Sequence, residues 1–203
     1  MYVMIDNFDS CVYNLVGLFQ KLGCNMEVFL NEKESWTAIE KKVLQGEVEG
    51  FVISPGPGRP QEAGFAGRVV CNYAGIIPIF GICLGHQIIA NEFGAHVVKG
   101  KTPMHGKLSE ITHSQTGIFK EISRPFQVMR YHSLEVLDEE LPEEFRVDAR
   151  AKDQVIMAIS HKNYPLFGVQ FHPESFLTEY GETMILNFMM ICEHFWEQKD
   201  ARK

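Results

Sequence analysis

The chain has 203 residues, 45% of them hydrophobic, and a formal net charge of −7 with its Lys and Arg scattered. That length can bury a full core and is read as one domain spanning 1–203, while the acidic balance, with no basic stripe, argues against nucleic acid as a partner. No apolar stretch reaches the roughly 18 residues of a membrane span, and the opening Met1-Tyr2-Val3-Met4-Ile5-Asp6 lacks the marks of a secretory signal, so a cytoplasmic protein without a membrane partner is expected.

Strand-like and helical patterns alternate over the first hundred residues. Runs at 2–5, 26–30, 51–54 and 76–80 are interleaved with helical periodicity from residue 10 and over 36–44, and a further helix is predicted over 86–93. In the first helix Val12, Leu15, Val16, Phe19 and Leu22 share a face, Asp9 or Ser10 supplies a cap, and Gly23 stops it. Runs such as Phe51-Val52-Ile53 and Ile76-Ile77-Pro78-Ile79-Phe80 are apolar throughout, as parallel strands covered on both faces require. From about residue 105 the rhythm changes. Strand-like segments at 107–112, 126–131, 134–137, 145–151, 155–160 and 166–171 follow one another with little helix between them. A last helix over 180–198 puts Met184, Ile185, Phe188, Met189, Cys192 and Phe195 on one face. The expected fold is α/β: an open, mostly parallel central sheet with helices on both faces and an antiparallel extension.

Three places carry chemistry. Gly81-Ile82-Cys83-Leu84-Gly85 joins an apolar strand to a helix. A nucleophile on such a turn is pushed clear of the backbone, the flanking glycines relieve the crowding, and the helix N-terminus favours thiolate over thiol. Downstream, the run at 166–171 ends in His172-Pro173-Glu174, where an extended backbone at Pro173 places a base and a carboxylate two residues apart on one side. Cys83, His172 and Glu174 together form a candidate catalytic triad.

The third place is Ser54-Pro55-Gly56-Pro57-Gly58-Arg59-Pro60, at the carboxyl end of a strand, where open α/β sheets bind ligands. Gln61 stands where a dinucleotide fingerprint needs its third glycine. A rigid turn offering one or two glycine amides to an oxyanion, with Leu84 N–H as second donor, therefore fits better than a phosphate cradle. Gln87, one turn beyond Cys83, is a candidate for binding a polar substrate head. Arg130-Tyr131-His132-Ser133-Leu134 separates two strand-like runs, and Ser133 and Leu134 are candidate backbone contacts to substrate. His132 lacks a carboxylate two residues on and ranks below His172 as the base. The five cysteines show no C-x-x-C spacing and the eight histidines no H-E-x-x-H, so neither a disulfide framework nor a metal site is expected.

Ser54-Pro55-Gly56-Pro57-Gly58, Gly81-Ile82-Cys83-Leu84-Gly85-His86-Gln87 and Phe171-His172-Pro173-Glu174-Ser175 closely resemble the class I (triad) glutamine amidotransferases, over nearly the whole chain. Asp6-Asn7-Phe8-Asp9-Ser10, Met104-His105-Gly106-Lys107 and Arg130-Tyr131-His132-Ser133-Leu134 are similar to the branch serving chorismate-using synthases: anthranilate synthase component II and the glutaminase subunit of aminodeoxychorismate synthase. The resemblance implies a flavodoxin-like fold, with Cys83 as nucleophile, His172 as base and acid, and Glu174 as the orienting carboxylate. It further implies oxyanion amides at Gly56 and Leu84, and a glutamine pocket lined by Gly56, Pro57, Gly58, Gln87, Ser133 and Leu134. One departure stands at Cys11-Val12, where relatives commonly carry Phe-Thr.

The implied reaction hydrolyses L-glutamine through a γ-glutamyl thioester and needs neither metal nor cofactor. Since this fold consumes all 203 residues, chorismate chemistry is expected in a separate synthase subunit, component I, of tryptophan or folate biosynthesis, with tryptophan preferred. Two readings compete with it: a γ-glutamyl hydrolase or cysteine peptidase using the same triad, and a non-catalytic regulatory binding subunit.

Overall fold

A computed structural model describes residues 1–201. In chain order the first half runs β1 (Tyr2–Asp6), α1 (Val12–Lys21), β2 (Met26–Leu30), α2 (Ser35–Leu44), β3 (Gly50–Ile53), α3 (Ala66–Tyr73), β4 (Ile79–Ile82) and α4 (Leu84–Glu92). The second half runs β5 (Val97–His113), β6 (Phe126–Val136), β7 (Phe145–Ala151), β8 (Ile156–His161), β9 (Leu166–Val169) and α5 (Gly181–Asp200). The strands form one sheet in the order β2-β1-β3-β4-β9-β8-β7-β5-β6. From β2 to β9 all pairings are parallel; from β9 outward through β8, β7, β5 and β6 all are antiparallel. This is the α/β architecture with antiparallel extension that the alternation of patterns implies.

Side chains along the parallel strands divide between two cores. In β1, Tyr2 and Met4 join one cluster with α1 and α5, while Val3 and Ile5 join another with α2, α3 and α4. The apolar runs lack alternation because both faces are covered. On α5, Met184, Ile185, Phe188 and Cys192 are buried, and the Phe188 ring meets Phe80 of β4 at 5.2 Å. Loss of such a fully buried ring typically costs about 3–5 kcal/mol.

Several boundaries differ from the periodicity. α1 starts at Val12, and Cys11 holds the cap position without a side-chain bond; Asp9 Oδ1 instead accepts the Cys11 N–H at 2.7 Å, shaping the turn ahead of the helix. The strand expected over 76–80 is shifted to Ile79–Ile82: the amides of Ile76 and Ile77 both donate to Tyr73 O, whereas Gly81 and Ile82 pair with Gly168 and Val169. Helix α3 was not foreseen. It carries Gly67 and two adjacent valines and no side-chain cap, so packing of Val69 and Val70, both fully buried, and not propensity, holds it.

β6 is continuous where two runs were expected, because its polar residues find partners. Arg130 Nη1 donates to Asp153 at 2.9 Å, and His132 Nδ1 to the Leu134 carbonyl at 2.9 Å. β5 extends well before residue 107, with register shifts between Lys99 and Met104 and between His105 and Lys107 that mark bulges. The run expected to 171 leaves the sheet after Val169.

The extension curls. β6 lies at the far edge of the sheet, yet Met129 O accepts the His172 N–H at 3.0 Å, Gln127 O accepts the Glu179 N–H at 3.0 Å, and Met129 N–H donates to Thr178 Oγ1 at 3.0 Å. These bonds draw β6 over the carboxyl ends of the parallel strands. No helix among the described residues is long and apolar enough to cross a membrane.

His86 sits inside this arrangement, fully buried on α4 against Gly168 of β9, where an added Cβ would lie 2.8 Å from its Nδ1. Burial pushes its pKa down from 6.5 to about 3, against a smaller opposing effect from the Gly168 backbone. The ring is thus neutral in the fold and takes up a proton on unfolding below pH 6.5, so its contribution to stability is complete above that pH and is lost as pH falls toward 3. In denaturant titrations from pH 6 to pH 4, H86N should lose stability less steeply than the parent, by about 1.4 kcal/mol per pH unit. Parallel slopes for the two proteins would show that the ring does not titrate on unfolding.

Candidate active site

Between the end of β4 and the start of α4 a single residue makes the turn. Cys83 takes φ +53° and ψ −100°, held by its N–H to Val169 O at 2.8 Å and its carbonyl to Gln87 N–H at 3.2 Å. A side chain bearing a Cβ rarely adopts this region, so the strain is held by the surrounding packing. The glycines on either side have a different task. A Cβ on Gly85 would lie 2.3 Å from Ile53 O, and one on Gly81 would lie 2.5 Å from the Gly85 carbonyl. They permit close approach of α4 to β3 and β4, while the positive φ belongs to the cysteine.

His172 and Glu174 meet through a turn and not through strand alternation, since β9 has already ended. The His172 carbonyl accepts from Thr178 Oγ1 at 2.6 Å and from Ser175 N–H at 3.3 Å. Across that turn His172 Nδ1 and Glu174 Oε1 lie 2.6 Å apart, both side chains almost wholly buried. Nε2 has no formed hydrogen bond and stays available for proton transfer. Burial opposes charge on this ring, but the adjoining Cys83 sulfur and the Glu174 carboxylate outweigh it and raise its pKa well above the ordinary value. Such a ring can hold a proton beside the sulfur and release it later.

The oxyanion candidates come together at the same edge. Asn7 ties the loop after β3 to the end of β1, with its N–H to Ser54 Oγ and its Nδ2 to Ser54 O, both at 2.8 Å. Gly56 is thereby pressed between Asn7 and Leu84: an added Cβ would lie 2.5 Å from Asn7 Cβ and 2.9 Å from Leu84 Cδ2. A cleft of about 500 Å³ opens here, with Cys11, Gly56, Cys83, Tyr131, His172 and Glu174 on its wall. Pro57, Gly58 and Ser133 are exposed and outside this wall.

Gln87 is buried, and its Nε2 donates to Leu134 O at 3.2 Å and to Gln170 Oε1 at 3.0 Å. The Leu134 carbonyl therefore already receives Gln87 and His132. That histidine has both ring nitrogens occupied, Nε2 facing Arg130 Nε at 3.0 Å, and burial together with Arg130 pushes its pKa down to about 4. It is a structural group. A larger cavity, about 780 Å³, lies under α5 at the opposite edge of the parallel strands and has no histidine among the described residues of its wall. Burial pushes the Cys24 thiol there up to about 11.

Gln170 escaped the sequence reading. Because the Leu134 carbonyl can only accept, it orients the Gln87 amide, which in turn leaves Gln170 Nε2 turned toward Cys83 Sγ at 3.7 Å. A polar residue inside the apolar run 166–171 was the available sign. Tyr131 was also missed as part of the wall; its ring stands edge-on to His172 at 5.4 Å and its carbonyl is 3.6 Å from the sulfur. With the Gln170 amide 3.7 Å from the sulfur, Q170M should slow alkylation of Cys83 by iodoacetamide at neutral pH about tenfold. An unchanged rate would show that the amide does not act on the sulfur.

Comparison with known proteins identifies the family. The family described as Glutamine amidotransferase class-I matches residues 3–192. The chain is 46% identical over 191 residues to the Bifunctional protein TrpGD of Thermotoga maritima, covering 93% of this chain and 32% of that protein, and so spans about a third of that relative's length. It is also 46% identical over 189 residues to the Aminodeoxychorismate/anthranilate synthase component 2 of Bacillus subtilis, covering 93% of this chain and 95% of that one. Among solved structures, a candidate GMP synthase protein of Thermoplasma acidophilum matches with a TM-score of 0.86 at 28% identity, over 98% of each chain. With its family match running through both the cysteine turn and the His172 loop, this chain belongs to the class-I glutamine amidotransferases.

Proposed function

We propose that Cys83, His172 and Glu174 hydrolyse L-glutamine and that the ammonia passes to a separate chorismate-using synthase, component I of anthranilate synthase. The observation that carries this is a strained cysteine facing one cleft with a buried histidine whose other nitrogen is held by a carboxylate. The Cys83 sulfur attacks the side-chain amide carbon, and the resulting oxyanion accepts from the Gly56 and Leu84 amides. His172, kept charged by Glu174, gives its Nε2 proton to the departing nitrogen, so the C–N bond breaks and ammonia leaves a γ-glutamyl thioester. Water then attacks with His172 as base, and glutamate and the free sulfur are regenerated. Gly56 on the cleft wall and Gln87 and Leu134 behind it form the glutamine pocket, with Gln87 contributing through its Oε1, and Pro57, Gly58 and Ser133 border it from outside the wall. Protein groups suffice for every step, and no cofactor is assigned to the chain.

A partner surface surrounds the cleft. Phe176, 93% exposed, and Tyr131 stand on its wall, and Phe8 is exposed on the turn after β1. Exposed aromatics on and near a cleft suit a protein interface, and component I is the occupant proposed. The Bacillus relative, whose name joins both synthases, favours a second reading in which this chain serves aminodeoxychorismate synthase as well.

Co-purification with the large subunit, followed by chorismate and glutamine, should yield the ortho-aminated product; a para-aminated product would support the second reading. C83S should lower glutamine-dependent product at least about a thousandfold while leaving ammonia-dependent product. F176D should reduce stimulation of glutaminase activity by the large subunit. Full-rate glutamine hydrolysis by the chain alone, with no response to any synthase partner, or cleavage of peptides in preference to glutamine, would overturn the proposal.

A further inference from the structure

A second thiol shares the cleft with Cys83. Cys11, at the N-terminal end of α1, lies on the cleft wall, and its sulfur, a ring nitrogen of His172 and a carboxylate oxygen of Glu174 are all within 4.8 Å of one another. Thiolate, imidazole and carboxylate are the donor types that zinc takes, and three protein donors with a fourth position facing a cleft make an exchangeable site. Reaching bonding distances of about 2.0–2.3 Å requires the donors to draw in by about an ångström, within the range of side-chain rotation.

A second observation points to a ligand at the same place. One polar atom of this group, Glu174 Oε2, is buried without a hydrogen-bond partner among the described residues. The proposed reaction uses His172 Nε2. It leaves Oε2 unexplained, although the Glu174 side chain is only 2% exposed and a buried carboxylate oxygen without a partner is unfavourable. A cation bound between this oxygen, the ring and the Cys11 sulfur satisfies it.

We propose that Cys11, His172 and Glu174 form a binding site for a thiophilic divalent cation of the zinc class. Occupancy would arrest the glutaminase chemistry, because an imidazole and carboxylate engaged by metal cannot exchange protons with Cys83 or its substrate. The arrest rests on the function proposed above; the binding does not. Hard cations such as Mg²⁺ are excluded by the sulfur and nitrogen donors.

The test is calorimetric titration of the full chain with Zn²⁺ alone and with Mg²⁺ alone, each followed by glutamine hydrolysis in the complex with the large subunit. One equivalent of Zn²⁺ and no Mg²⁺ should bind, and hydrolysis should stop and recover with chelator. C11S, C11A and E174Q should each weaken Zn²⁺ binding at least tenfold, while C83S, which removes the other thiol, should keep it. Zinc held equally by C11S and the parent, or held by C11S and lost in C83S, would overturn the site. Zinc bound through Cys11 with hydrolysis unchanged would overturn the arrest. Zinc bound through Cys11 in a chain that hydrolyses no glutamine would support the site and count against the proposed function.

Discussion

Where α4 meets the end of β3, Gly85 lies so close to the Ile53 carbonyl that no side chain fits between them. This proximity draws the first turn of the helix down onto the sheet and leaves a single residue to reverse the chain. Cys83 therefore carries the whole bend, at a backbone conformation that only surrounding packing sustains. The site's other parts are arranged around this bend: Gly56 clamped by Asn7 from one side, the His172 loop from the other. A larger residue at position 85 would lift the helix and relax the cysteine together.

The curl of the sheet supplies what the parallel half lacks. Five parallel strands can present a cysteine turn and a glycine loop along one edge, but they have no means of covering it. The antiparallel extension runs outward to β6, whose backbone returns to bond the loop after β9 at Met129 and Gln127. His172 thus hangs from one strand by sequence and is secured by another through hydrogen bonds. The same strand brings the Tyr131 carbonyl to the sulfur and the Tyr131 ring to the imidazole.

Much of this was legible in the residues. The order of apolar runs and helical periodicity specifies the α/β sheet, and G-x-C-x-G between them specifies the cysteine turn, because glycine there has no other economical explanation. The pairing of His172 with Glu174 was also legible, though for a different reason than expected: a turn capped by Thr178 does what strand alternation was expected to do. Less was visible where tertiary contacts override local preference. Helix α3 has a poor helical sequence and exists because Val69 and Val70 are buried. β6 persists through Arg130 and His132 because Asp153 and Leu134 answer them from other parts of the chain and from the strand itself. Gln170 stayed hidden because its meaning lies in partners at positions 83 and 87, far away in the chain.

The two buried amides, Gln87 and Gln170, form a short mechanical linkage between the outermost strand and Cys83. At one end is a carbonyl of β6; at the other is the sulfur, 3.7 Å from the last donor. Hydrogen-bond strength falls steeply with distance and angle, so a displacement of β6 by a fraction of an ångström is transmitted as a changed electrostatic environment at Cys83. A protein resting on that strand would govern the reactivity of the thiol without touching it.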